Sequence, residues 1–223
     1  MQLSEHQKEE LKRAIEDYAF PPDYFDFVRK APERQANMKA VEVKINADLT
    51  SGDPERVKNG LSNVLYWGYA RMGIRDVRVQ RFRTKVTAPQ LRNSGELFHR
   101  YSRPSVVEVR KLGLPEFSGL SFVSKIRMFL DPDNSATLDW QIMRIHDCCP
   151  ETLLASFRVG KNATQIRITT HNASAYEGWC DKVRQISKRY FNGQFRAADV
   201  ERGFFQLVQC GKAALAAQIL KLA

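Results

Sequence analysis

Leu61, Val64, Leu65, Tyr69 and Met72 recur at i, i+3, i+4, i+8 and i+11 behind an Asp53-Pro54 start signal. Only an α-helix brings residues at that period to one face. The same period returns at Trp179, Val183, Ile186 and Tyr190, and again at Val200, Phe204, Leu207 and Val208. A chain patterned this way is predicted to be mainly α. Residues 3–18 form a further expected helix, ended by Phe20-Pro21-Pro22, and 104–113 a short one ended by Gly113 and Pro115. Ser174-Ala175-Tyr176-Glu177 reads as the capping box that opens the helix of Trp179. The β signal is confined to 156–170, where alternation around Gly160-Lys161-Asn162-Ala163 suits either one short β-hairpin or an extended surface loop. With no repeat, low-complexity tract or long linker, residues 1–223 are expected to form a single helical domain, a two-lobed organisation remaining open, with the chain ends returning to one body.

Charge suggests a partner. The net charge is +10, but residues 1–60 carry ten Lys/Arg against twelve Asp/Glu, so the excess lies wholly beyond residue 60. Such asymmetry points to a polyanion. Between 71 and 85 six basic residues accompany one acid. That run is either a solvated helix face or a phosphate-contacting surface, with Arg78, Arg81, Arg83 and Lys85 the candidates. Lys182, Arg184, Lys188, Arg189 and Arg196 form a second ambiguous group.

No apolar run approaches the length of a membrane span, and the start of the chain is a charged amphipathic segment, so a cytoplasmic protein with no membrane partner is expected. Cys148, Cys149, Cys180 and Cys210 lack metal-ligand spacing and read as reduced, buried packing residues. The four histidines are scattered, and no phosphate-loop or dinucleotide motif is present. Metal and cofactor chemistry are therefore not expected.

Residues 104–132 read as helix, short turn, helix. Such a unit either packs as a plain αα-hairpin or aims its turn N–H groups and the second helix's N-terminus at a phosphate. L-P-E-F-S-G-L-S-F-V-S-K-I-R-M-F-L-D-P-D-N-S-A-T-L-D, followed by W-Q-I-M-R-I, resembles the helix-hairpin-helix and catalytic loop of the DNA glycosylase superfamily that includes 8-oxoguanine and adenine glycosylases. Y-E-G-W-C at 176 and R-A-A-D-V-E-R-G-F-F at 196 resemble segments of bacterial proteins assigned to the 8-oxoguanine glycosylase fold, many without established activity.

The resemblance implies a helix-hairpin-helix glycosylase-like fold, duplex DNA as partner and Asp139 as the catalytic carboxylate. A carboxylate there stabilises the cation that develops on the sugar as an N-glycosidic bond breaks, or orients the attacking water. The alternative for Asp139 is an aspartate held at a helix start by the helix dipole. Bifunctional members carry a lysine near the start of the second helix, where this chain has Leu120, so a monofunctional hydrolase is expected rather than a lyase. Ser121 and Lys125 share one helix face beside that position, Lys125 being either a nucleophile or a solvated or phosphate-contacting lysine. Ser118 and Gly119 are the hairpin's candidate phosphate contacts, although Glu116 and Ser118 replace its two consensus glycines. Trp140 is the candidate wall of a base pocket, whereas Trp67 and Trp179 read as core. Two other functions stay open: nucleic-acid binding without catalysis, and a basic helical module for protein interaction.

Overall fold

The computed structural model describes residues 2–161 and 163–223. In chain order these form α1 (Glu5–Glu16), β1 (Asp23–Asp26), β2 (Ala31–Arg34), α2 (Met38–Leu49), α3 (Pro54–Gly68), α4 (Arg75–Lys85), α5 (Ala88–Arg100), α6 (Val106–Lys111), α7 (Leu120–Leu130), α8 (Trp140–Cys148), a 3-10 turn (Leu153–Ser156), α9 (Thr170–Phe191), α10 (Ala197–Gln209) and α11 (Ala213–Leu222). The protein is mainly α. Its elements fall into two compact units, a continuous one over Phe20–Asp131 and a split one that joins the described residues up to Ala19 to Pro132–Ala223.

The continuous unit is built on α3. The Asp53 carboxylate accepts the Glu55 N–H at 3.0 Å, and Pro54 occupies the first turn, where its missing N–H costs nothing. Val57, Leu61, Val64 and Leu65 are wholly buried along one face. α2, α4, α5 and α7 pack around that helix. Gly60 permits the close approach of α2, since a Cβ there would stand 3.0 Å from the Leu49 backbone nitrogen. Trp67 closes the far end, edge-on to Phe129 and Phe20 at ring separations of 5.2 and 5.1 Å.

The two-stranded sheet lies outside the stretch where alternation predicted it. β1 and β2 pair antiparallel, Tyr24 opposite Glu33. The buried Asn63 of α3 fixes them from outside the hairpin, accepting the Phe25 N–H at 2.7 Å and donating to the Phe25 carbonyl at 3.1 Å. Residues 156–170 form no such ladder. The wholly buried Asn172 amide accepts the Arg158 N–H at 2.8 Å and donates to the carbonyls of Arg158 and Arg167 at 3.0 and 2.9 Å. Backbone groups that a hairpin would pair are thus bound to one side chain, and the segment is an extended loop. Asn162, expected in its turn, lies outside the described residues.

In the split unit α1 lies along α10. Ser4 and Gln7 cap α1 reciprocally, and Leu11 and Ala14 are buried. Gly203 of α10 makes the approach possible, because a Cβ there would meet Ile15 Cγ1 at 2.6 Å and Leu11 Cδ1 at 3.0 Å. Lys212 and Glu10 form an ion pair at 2.5 Å across the same junction. α9 begins one turn before the expected box: the Thr169 hydroxyl accepts the Asn172 N–H at 3.1 Å, so Ser174 and Glu177 stand inside the helix. Of the cysteines only Cys180 is buried; Cys148 and Cys210 are exposed and Cys149 partly so, against the expectation of four packing residues. Among the described residues no helix is long and apolar enough to cross a membrane.

Candidate functional site

Asp139 follows a turn at 132–134 and a buried irregular segment, 135–138, and the split unit holds several of their carbonyls. The N–H groups of Ala198 and Ala197 at the start of α10 bond to Pro132 and Asp133 at 3.1 and 3.2 Å. Arg184 donates to Asn134 at 2.7 Å, Tyr176 Oη to Ala136 at 2.8 Å and Trp179 Nε1 to Thr137 at 2.9 Å. Each of these bonds satisfies a backbone acceptor that would otherwise be costly inside the protein. Trp179 was legible as core; its hydrogen bond, which helps set where Asp139 emerges, was not.

Asp139 is the N-cap of α8. Its backbone is extended, and Oδ1 accepts the N–H groups of Gln141 and Ile142 at 3.0 and 3.3 Å. The alternative reading, a helix-start aspartate, therefore describes its local role. Capping places Oδ1 at the N-terminal end of α8, where it satisfies two backbone donors that have no partner within the helix. Trp140 follows with its side chain 39% exposed, the indole N–H donating to the Thr164 carbonyl at 3.2 Å. This ring is presented at the surface, in contrast to the core indoles of Trp67 and Trp179.

The hairpin belongs to the continuous unit. Ser105 and Glu108 cap α6 reciprocally, Gly113 follows it with φ +64°, and Gly119 begins α7 without a side-chain cap. Glu116 adopts φ +68°, the left-handed region that glycine enters without strain. Its side chain is only 8% exposed, with the carboxylate 2.8 Å from Arg78 Nη1 and 3.6 Å from Arg81 Nη1. The Glu116 carboxylate raises the Arg78 pKa further above its ordinary value.

This pairing bears on the basic strip. Arg78 and Arg81 are engaged within the protein. Arg83 is a packing residue: it donates to Asn59 Oδ1 at 2.9 Å and Ser62 Oγ at 3.1 Å and stacks on Phe27, and burial lowers its pKa. Of the four candidates Lys85 alone is a solvated cation without an ion pair among the described residues. In the second group Arg184, Arg189 and Arg196 likewise contact their own chain. Cationic side chains repeatedly find local oxygens or rings, a pattern that counting charges along a sequence does not resolve.

On α7, Leu120 is wholly buried and belongs to the core. Lys125 is 6% exposed and is not a solvated surface lysine; its ammonium donates to the Ser121 carbonyl at 3.2 Å and lies over the Phe122 ring. Ser121 is partly exposed on the same face, and Ser118 is exposed in the turn. A Cβ on Gly68 would fall 2.6 Å from Phe122 and 3.2 Å from the Lys125 stem, so α3 also shapes this neighbourhood. Among the described residues no group of three His, Cys, Asp or Glu is arranged to hold a metal ion.

No family model, curated protein or solved structure matches this chain.

Proposed function

We propose that the protein binds DNA and acts as a glycosylase-like hydrolase, with Asp139 as the carboxylate that serves cleavage of an N-glycosidic bond. The observation that supports this reading is the order of parts: α6, a tight turn with a left-handed residue at the family's glycine position, α7, then a turn and a short buried segment that deliver Asp139 as the N-cap of the next helix. In the reaction, water oxygen bonds to C1′ of the sugar as the C1′–N bond breaks. The electron pair leaves with the base, and the water proton passes toward the carboxylate. Asp139 would stabilise the sugar cation before that bond is complete.

Leu120 supplies no amine for a covalent sugar adduct, and Lys125 is buried, so hydrolysis is favoured over a lyase step. A second reading, nucleic-acid binding without turnover, is favoured by one feature: the Asp139 carboxylate is already engaged as the N-cap of α8.

The deciding experiment is base release from duplexes carrying 8-oxoguanine, uracil, alkylated bases or mismatched adenine, with Asp139→Asn in parallel and borohydride trapping. Release by wild type, reduced about 10²- to 10⁴-fold in the variant and without a trapped adduct, supports the hydrolase. A wild type inert on all these duplexes, or a variant equally active, refutes it for those substrates.

A further inference from the structure

We propose that the loop between Arg158 and Arg167 is the surface that holds the nucleic-acid phosphate backbone. The inference deepens the DNA-binding part of the reading above and rests on it, while moving the contact surface away from α4.

From Thr152 to Tyr176 the chain contains no Asp or Glu. Within that stretch Arg158, Lys161 and Arg167 are exposed and make no ion pair among the described residues. Together with Gly160, Ala163 and Gln165 they line an open concavity of about 370 Å³. This is the reverse of α4, where a buried carboxylate reaches two of the arginines and packing immobilises a third. Cations already neutralised by their own chain gain little from a phosphate, whereas solvated ones release counterions when a polyanion arrives.

The loop is also built. Asn172 pins its two ends together, the His171 ring contacts the Ser156 carbonyl at 2.7 Å, and the Trp140 indole bonds to Thr164 near its middle. A surface segment closed at its base and tethered at Thr164 loses less conformational freedom on binding than an untethered one. The Trp140 tether joins it to the residue that follows Asp139, so a strand held by the loop would lie beside the start of α8. Ile166 and Ile168 are buried, and the loop offers no large exposed apolar side chain to enter a bilayer, which favours nucleic acid over an anionic membrane.

The test is fluorescence anisotropy of a labelled duplex over a series of KCl concentrations, using the full chain. The triple variant Arg158→Ala, Lys161→Ala, Arg167→Ala is compared with a charge-matched control, Lys39→Ala, Arg92→Ala, Arg103→Ala, whose residues are exposed elsewhere. Circular dichroism melting verifies that both variants fold. The loop variant is expected to bind at least about tenfold more weakly and to lower the slope of log K against log salt by about 2 to 3, with the control close to wild type.

A loop variant that keeps the wild-type slope, or a control that loses as much, overturns the loop assignment but leaves DNA binding standing. A wild type that binds no duplex removes the DNA reading itself. Binding to phosphatidylserine vesicles but not DNA, lost in the loop variant, would overturn the proposal in favour of a membrane surface.

Discussion

Glu116 and Arg78 are 38 residues apart in sequence and 2.8 Å apart in space, one in the hairpin turn and the other on α4. The contact joins two features that read separately in the sequence as a damaged phosphate-binding turn and an available basic strip. Each is the other's counterpart. The carboxylate is directed at the arginines, and at this turn two of the strip's guanidiniums accompany one carboxylate.

The backbone at Glu116 gives a stability prediction independent of any ligand. Its φ of +68° suits glycine and strains any residue with a Cβ. Glu116→Gly and Glu116→Ala both lose the ion pairs, so the Gly variant should be the more stable by about 1 kcal/mol. Urea unfolding of the two proteins measures the difference, and equal midpoints with equal slopes would contradict it.

At Asp139 capping can be separated from the proposed catalytic role. Asn caps a helix about as well as Asp, while Ala forfeits about 1 kcal/mol. Asp139→Asn should therefore melt within a few tenths of a kcal/mol of wild type, and Asp139→Ala clearly below it. Base release should be lost in both. Activity that instead tracks stability across the pair would assign Asp139 a structural role only.

Close approach of α1 and α10 makes Gly203 sensitive to one methyl group. Gly203→Ala should destabilise the protein by about 1 to 3 kcal/mol through overpacking against Ile15 and Leu11, despite alanine's better helix propensity. Gly178 of α9 is the control, since nothing lies within 4 Å of a Cβ there. Gly178→Ala should stabilise by about 0.5 to 1 kcal/mol. Thermal or urea unfolding tests both signs.

Asp199 should contribute to acid sensitivity. Burial opposes its charge, but hydrogen bonds and charge from Arg196, aided by Arg202, leave its pKa below the ordinary carboxyl value of 3.8. The carboxylate's contribution is therefore fully present above that value and lost as pH falls through the lower folded-state pKa. Asp199→Asn should cost roughly 1 to 3 kcal/mol at neutral pH, from bonds to Arg196 at 2.7 and 2.8 Å. That cost should shrink as acid is added. A constant difference from pH 7 down to the acid transition would show that the charge is immaterial.

The helices were legible because their signals are local: Asp53 before Pro54, Gly113 and Pro115 after α6 and the stripe on α3 lie within a few turns of what they specify. Asp139 as a helix start was legible for the same reason. The sheet was not, because Asn63 holds Phe25 from 38 residues away. Residues 156–170 have a strand's alternation, yet their backbone partner is the Asn172 side chain. The internal partners of the basic strip were not legible either, since neither Glu116 nor Asn59 is near it in sequence. The loop of Arg158, Lys161 and Arg167 left a trace in the long interval without a carboxylate, a signal that total charge conceals.

Because α1 packs on α10, the split unit is assembled from segments on either side of the whole continuous unit. During synthesis Phe20–Asp131 emerges with its own core complete and can collapse at once. α1 emerges earlier, yet Leu11 and Ala14 stay uncovered until α10 has left the ribosome. Vectorial synthesis thus lets Phe20–Asp131 mature before α1 meets its later-made partner α10.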